Sequence, residues 1–134
     1  MRKVYDLSTL GLITFFESMT GARVKDCIPD LAMFIVEKGD MGLAMGRNMR
    51  NLKSVESALR KHVKVLEFDE NVEKFVSNII HPLVAEAKLE GKNLIIKGGD
   101  RETRARLIGR DRSNLGRISS IVKRHFNVED VSVA

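Results

Sequence analysis

The sequence contains one cysteine, three histidines, two prolines and no tryptophan. Cys27 has no second thiol in the chain, so no intramolecular disulfide is available, and this usage suits a reducing compartment. A cytoplasmic protein is expected. His62, His81 and His125 are far apart in sequence and do not form the closely spaced ligand set of a metal centre. Around Gly98-Gly99-Asp100 there is a strand-to-helix turn but no Walker or dinucleotide pattern. No nucleophile–base constellation stands out either, so neither catalysis nor a cofactor is expected. Aromatic residues are 5% of the chain, too few for extensive base stacking on aromatic platforms. No apolar run approaches the ~18 residues that a membrane-crossing helix needs. The start, Met1-Arg-Lys-Val-Tyr-Asp, precedes only a short apolar patch without a small-residue cleavage site, so neither a signal peptide nor a membrane partner is expected.

What the chain does have is positive charge in two places. Residues 40–64 carry six Lys/Arg and two Asp/Glu, a balance of +4, and residues 101–124 carry eight and two, a balance of +6. The whole chain is only +5, so the remainder is acidic by about the same amount. Positive charge gathered on two short stretches is the footprint expected of a surface that meets a polyanion.

The same two stretches are a repeat. Leu43-Ala-Met-Gly-Arg-Asn-Met-Arg-Asn-Leu52 and Arg106-Leu-Ile-Gly-Arg-Asp-Arg-Ser-Asn-Leu115 align with a constant offset of 63 positions, and His62 and His125 keep that spacing. One repetition of this length points to a duplicated small domain, not a solenoid, which needs three or more shorter units. In both copies an apolar run ends at Gly46 or Gly109, where a residue that tolerates positive φ stops one helix. A second helix starts within a few residues. Its first N–H groups lack intrahelical partners, and arginines flank them. A basic, glycine-containing loop between two short helices can hold a phosphate.

Periodicity places the other elements. A helix is predicted over 8–20, with Ser8 or Thr9 as cap and Gly21 as stop. Strands are predicted at 23–28 and 31–36, with a turn at Pro29-Asp30. A short helix follows Asp40, its expected cap. Leu52, Val55 and Leu59 mark the buried face of the next helix, and a strand at 63–68 closes the unit. The second half repeats this order. A helix is expected at 70–80, strands at 83–89 and 93–96 around a Gly91-Lys92 turn, and a helix after Asp100, about three residues longer than its counterpart. Leu115, Ile118 and Val122 then mark a buried stripe before a strand at 128–133. Chain length allows one domain or two small ones. The repeat divides it at 1–69 and 70–134, with no glycine/serine linker between.

The residues 45–52 and 108–115 resemble the signature of the KH domain: an aliphatic pair, a GXXG loop, two residues and another aliphatic. The order helix, strand, strand, helix, loop, helix, strand is similar to the type II form. The fold class expected is therefore α+β: tandem type II KH domains, each a three-stranded sheet packed on one side by about three helices. Two such domains and little else resemble the archaeal NusA family of transcription factors. The resemblance implies binding of single-stranded RNA in transcription elongation, termination or antitermination, with RNA polymerase as a candidate partner. It says nothing of oligomeric state.

In KH modules this loop clamps a four-nucleotide backbone segment. The RNA-binding residues implied here are Met45, Gly46, Arg47, Asn48, Met49, Arg50 and Leu52, with Ile108, Gly109, Arg110, Asp111, Arg112, Asn114 and Leu115 in the second copy. Arg47, Arg50, Arg110 and Arg112 would supply charge. Met45, Leu52, Ile108 and Leu115 would form either an apolar floor for bases or ordinary core. Both copies depart from the family pattern at the second glycine, which is Met49 or Arg112. If that position needs positive φ, each carries about 1–2 kcal/mol of strain. The second copy is expected to be the more electrostatic. A different reading follows from the missing glycines: a module that docks on RNA polymerase, or a ribosome-associated KH protein, whose loops no longer grip RNA.

Overall fold

A computed structural model describes residues 5–134. The chain divides into two compact units, the first ending at Phe68 and the second spanning Asp69–Ala134. The first contains α1 (Leu7–Thr20), β1 (Val24–Ile28), β2 (Met33–Val36), α2 (Met41–Met45), α3 (Arg50–Leu59) and β3 (Lys64–Glu67). The second contains α4 (Val72–Ile80), β4 (Ala85–Glu90), β5 (Asn93–Gly98), α5 (Arg101–Ile108), α6 (Ser113–His125) and β6 (Asp130–Val133). The element order is the same in both. Each unit has its own three-stranded sheet, with β2 and β5 central. The first two strands of each sheet pair antiparallel and the third adds in parallel to the middle one, Phe34 opposite Val65 and Leu94 opposite Val131.

In the first unit α1 packs on β1 and α2 on β3, and α3 packs against both helices. Phe16 of α1 stacks on Phe34 of β2 at 4.3 Å between ring centroids. Val36, Val65, Ala44, Leu52 and Val55 complete this core, and Cys27 is buried within it. Each large apolar side chain removed from water here contributes about 1.5–3 kcal/mol. Two glutamates tie helix ends to the strands that follow. Glu17 Oε2 accepts the Val24 N–H at 2.9 Å, and Glu56 Oε2 accepts the Val63 N–H at 2.9 Å.

The second unit buries Phe75, Val76 and Ile79 of α4, Leu94 and Ile96 of β5, and Leu115, Ile118, Ile121 and Val122 of α6. Alternation along β5 sends Asn93 and Lys97 to the exposed face while Leu94 and Ile96 turn inward. That is the pattern of a sheet with one solvated face. α5 is eight residues long against five for α2, the extra turn anticipated from the sequence.

Several boundaries differ from the periodicity reading. The cap of α1 is Asp6, whose carboxylate accepts the Thr9 N–H at 2.7 Å, and not Ser8 or Thr9, which lie inside the helix. Leu31 belongs to a single 3-10 turn begun by Pro29, so β2 starts at Met33, after Ala32 in the left-handed region (φ 49°). Asp40 precedes α2 without capping it. Its carboxylate instead accepts the backbone N–H of Arg23 at 2.8 Å and the Arg23 Nε–H at 3.1 Å. β4 begins at Ala85, two residues later than Leu83, because the turn after α4 is completed by a Leu83 N–H to Ile80 carbonyl bond.

Candidate nucleic-acid interface

The connection from α2 to α3 is short and unusual in backbone. Gly46 closes α2 by donating its N–H to the Gly42 carbonyl at 2.9 Å, then takes φ 73°, ψ 172°. That region is open essentially to glycine alone. A Cβ at Gly46 would also lie 2.7 Å from Asn51 Cγ and 2.9 Å from the Asn51 backbone nitrogen. Asn48 (φ 55°, ψ 33°) and Met49 (φ 60°, ψ 23°) follow, both left-handed, and Arg50 opens α3 in right-handed geometry (φ −58°, ψ −44°).

The second loop repeats this geometry within a few degrees. Gly109 has φ 75°, ψ 173°, Asp111 φ 54°, ψ 32°, and Arg112 φ 62°, ψ 19°. A Cβ at Gly109 would meet Asn114 at 2.8 Å. Asparagine and aspartate tolerate the left-handed region at low cost, because their short polar side chains bond locally. Met49 and Arg112 lack that relief and hold roughly 1–2 kcal/mol of strain each. The second glycine is thus replaced while its backbone conformation is kept.

Two side chains lock the loops from the helix that follows. The Asn51 amide donates to the Leu43 carbonyl at 2.8 Å. The Asn114 amide donates to the carbonyls of Arg106 (3.1 Å) and Leu107 (3.0 Å), and its oxygen accepts from the Arg117 guanidinium at 3.0 Å. These acceptors belong to the last turns of α2 and α5, whose carbonyls have no intrahelical donor. Asn51 was not among the residues expected at the site; its one signal was the constant spacing to Asn114.

The remaining site residues sort by exposure. Arg47, Asn48, Met49 and Arg50 are exposed, as are Arg110, Asp111 and Arg112. Among the described residues none of these four arginines has an ion-pair partner. Leu52 and Leu115 are buried (8% and 6% exposed) and so belong to the core beneath the loops, not to a surface floor. Met45 and Ile108 are half-buried, with Met45 packed against the first core. At the junction with the following helix the N–H groups are engaged inside the loop, Met49 with the Gly46 carbonyl at 3.1 Å and Arg112 with the Gly109 carbonyl at 3.2 Å, which leaves the exposed arginines as the donors that face solvent there. Beside the first loop an open cleft of about 700 Å³ is lined by Arg47, Asn48, Arg50, Lys53, Ser54 and Ser57.

The histidines stand apart from this geometry. His62 lies just beyond α3 with Nδ1 3.4 Å from Glu56, His81 ends α4, and His125 meets the Phe75 ring edge-on at 5.8 Å. Among the described residues no group of three or more His, Cys, Asp or Glu could hold a metal ion, and no helix is long and apolar enough to cross a membrane.

A family model described as "KH domain" matches residues 13–82. The "Probable transcription termination protein NusA" of Methanocaldococcus jannaschii is 32% identical over 128 residues, covering 90% of this chain and 69% of that protein. The protein of the same name from Halococcus morrhuae is 30% identical over 139 residues, covering all of both chains. Among solved structures, the crystal structure of APE1850 matches with a TM-score of 0.75 at 25% identity, covering 97% of this chain and 100% of that one.

Proposed function

The chain belongs to the KH domain family and to the family of the archaeal NusA proteins, and on that premise we propose that it is an RNA-binding transcription factor that grips single-stranded RNA with both loops. Each half, 1–69 and 70–134, is read as one type II KH module. The relatives' names point to transcription termination, and the same process is proposed here, with RNA polymerase as the protein partner. The chain is a binding factor and not an enzyme.

The observation that carries this reading is the matched backbone of the two loops, φ 73°/ψ 172° against 75°/173° at the glycine and 60°/23° against 62°/19° three residues later. Two sequences that share few loop side chains hold the same strained path. What they share beyond it is exposed arginine. Gly46, Met49, Gly109 and Arg112 donate their N–H groups within the chain, so the backbone N–H groups of Arg47, Asn48, Arg110 and Asp111 would meet phosphate oxygens, and Arg47, Arg50, Arg110 and Arg112 would neutralise them. Met45 and Ile108, partly exposed, are the residues a base would rest against. Asn48 and Asp111 set the turn. Leu52 and Leu115 support it from below, and Asn114 ties it.

The test is binding of labelled single-stranded RNA at 50 and 200 mM salt, beside same-sequence DNA and duplex RNA. Four neutralised phosphates give a slope near −3 in log K against log salt, a loss of about 50-fold across that range. Arg47→Asp/Arg50→Asp and Arg110→Asp/Arg112→Asp should each weaken binding. A native protein that holds no single strand even at 50 mM salt would refute the clamp. The loops would then be better read as docking points on a protein partner, which the exposed apolar side chains of Leu43 (51%) and Met49 (49%) favour.

A further inference from the structure

Beyond the first loop the basic surface continues along α3. The cleft lined by Arg47, Arg50, Lys53 and Ser57 adjoins a second hollow of about 400 Å³ lined by Glu56, Ser57, Arg60, Lys61 and His62. Ser57 belongs to both. Arg50, Lys53 and Ser57 follow one another at three- and four-residue steps and share one face of α3, and Arg60, the left-handed residue (φ 57°) that ends the helix, lines the second hollow together with Ser57. The single carboxylate in this row is already engaged: Glu56 accepts the Val63 N–H at 2.9 Å and lies 3.4 Å from His62, with its side chain only 24% exposed. The row therefore presents cations and hydroxyls to solvent and holds its one anion against its own chain.

We propose that this face of α3 is a phosphate track, carrying the RNA backbone past the four nucleotides held by the first loop. The inference rests on the reading of that loop as an RNA clamp. Lys53, Arg60 and Lys61 would neutralise successive phosphates, and the hydroxyls of Ser54 and Ser57 would donate to phosphate oxygens between them. The ten residues of α3 rise about 15 Å, room for up to about four nucleotides at the 3.4 Å spacing of a stacked strand. An apolar or neutral ligand has little to bind in a cleft so lined. In the second unit Ser113 and Gly116 stand where the repeat offset would place Arg50 and Lys53, while Arg117, Lys123 and Arg124 stand at the places of Ser54, Arg60 and Lys61, so the row there differs in its start and recurs at its far end.

The test compares a four-nucleotide with a ten-nucleotide single-stranded RNA on the full chain. Lys53→Gln/Arg60→Gln/Lys61→Gln should leave tetranucleotide affinity within about twofold, which also reports that the protein is folded. For the decanucleotide it should lose about tenfold at 50 mM salt, with the salt slope reduced by about 2, three phosphates at 0.7 each. Lys88→Gln/Lys92→Gln/Lys97→Gln removes the same charge from the second unit's hairpin and should change neither RNA. Equal losses in the two triple variants would mean net charge alone is at work and would overturn the track. So would an α3 variant whose decanucleotide binding matches the native protein. A native protein that binds RNA through the loops, with α3 indifferent, sinks only this proposal; one that binds neither RNA sinks both.

Discussion

Glycine and methionine three residues apart in the first loop occupy positions of positive φ for opposite reasons. Gly46 sits where no Cβ fits, against the backbone nitrogen of Asn51 at 2.9 Å, whereas Met49 sits in left-handed geometry with its side chain half in solvent. Gly46→Ala adds both a clash and a backbone region that alanine avoids, and should destabilise the protein by about 2–3 kcal/mol. Met49→Gly removes about 1 kcal/mol of strain but adds freedom to the unfolded chain, so stability should stay within ~1 kcal/mol of native. Urea denaturation of the two variants settles the order. A Gly46→Ala protein as stable as Met49→Gly would show the loop to be softer than its geometry implies. Residue types alone announced the first glycine correctly, through its position at a helix end. They did not announce Met49 or Arg112, because a non-glycine residue in the left-handed region is chosen by the chain on either side of it, here the closed end of α2 and the amide of Asn51.

Helices and strands were legible where a stripe of apolar residues does the work. Val72, Phe75, Val76 and Ile79 of α4, and Leu115, Ile118 and Val122 of α6, are all buried as their spacing indicates. Element ends were less so, since a cap depends on where the preceding chain comes from. Asp40 and Asp100 occupy matching places before α2 and α5, yet only Asp100 caps its helix, donating nothing and accepting the Thr103 N–H at 2.7 Å. Asp40 is drawn to Arg23 from the neighbouring segment. Both carboxyls are held below the ordinary aspartate range, Asp100 by the Thr103 backbone N–H first and then its hydroxyl, Asp40 by the Arg23 N–H first and then its guanidinium. For a carboxyl whose folded pKa is depressed, the stabilisation is full above the unfolded pKa and is lost as pH falls through the folded one. Native protein should therefore lose stability on acidification below the usual carboxylate range. Asp100→Asn keeps a capping oxygen but does not titrate, so its acid loss should be smaller over the same window. Thermal midpoints measured from neutrality down to acid give the comparison, and parallel curves would remove Asp100 from the account.

At the scale of the whole molecule, two units of the same element order carry two loops of the same backbone, and the charge of the chain is concentrated on both. The repeat and its charge were visible in sequence because they are properties of spacing and composition. The α3 cleft was not, because it arises from Lys53, Ser54 and Ser57 sharing a helix face beside the loop, and nothing in the repeat singles them out. If each loop is a clamp, titration with a tetranucleotide should give two sites per chain by calorimetry. Arg47→Asp/Arg50→Asp and Arg110→Asp/Arg112→Asp should each leave one. Native stoichiometry of one would assign the grip to a single loop and leave the other as scaffold.

On the proposed reading, the amide ties from Asn51 and Asn114 bear on what kind of reader this would be. A loop fastened from within to the last carbonyls of the helix before it has its shape set before any ligand arrives. The ordering entropy of binding then falls almost wholly on the strand. Among RNAs of equal charge, such a loop favours those that already lie extended and unpaired over those that must be melted or straightened. If the loops clamp RNA as proposed, they gauge how a strand is folded more than the letters written in it.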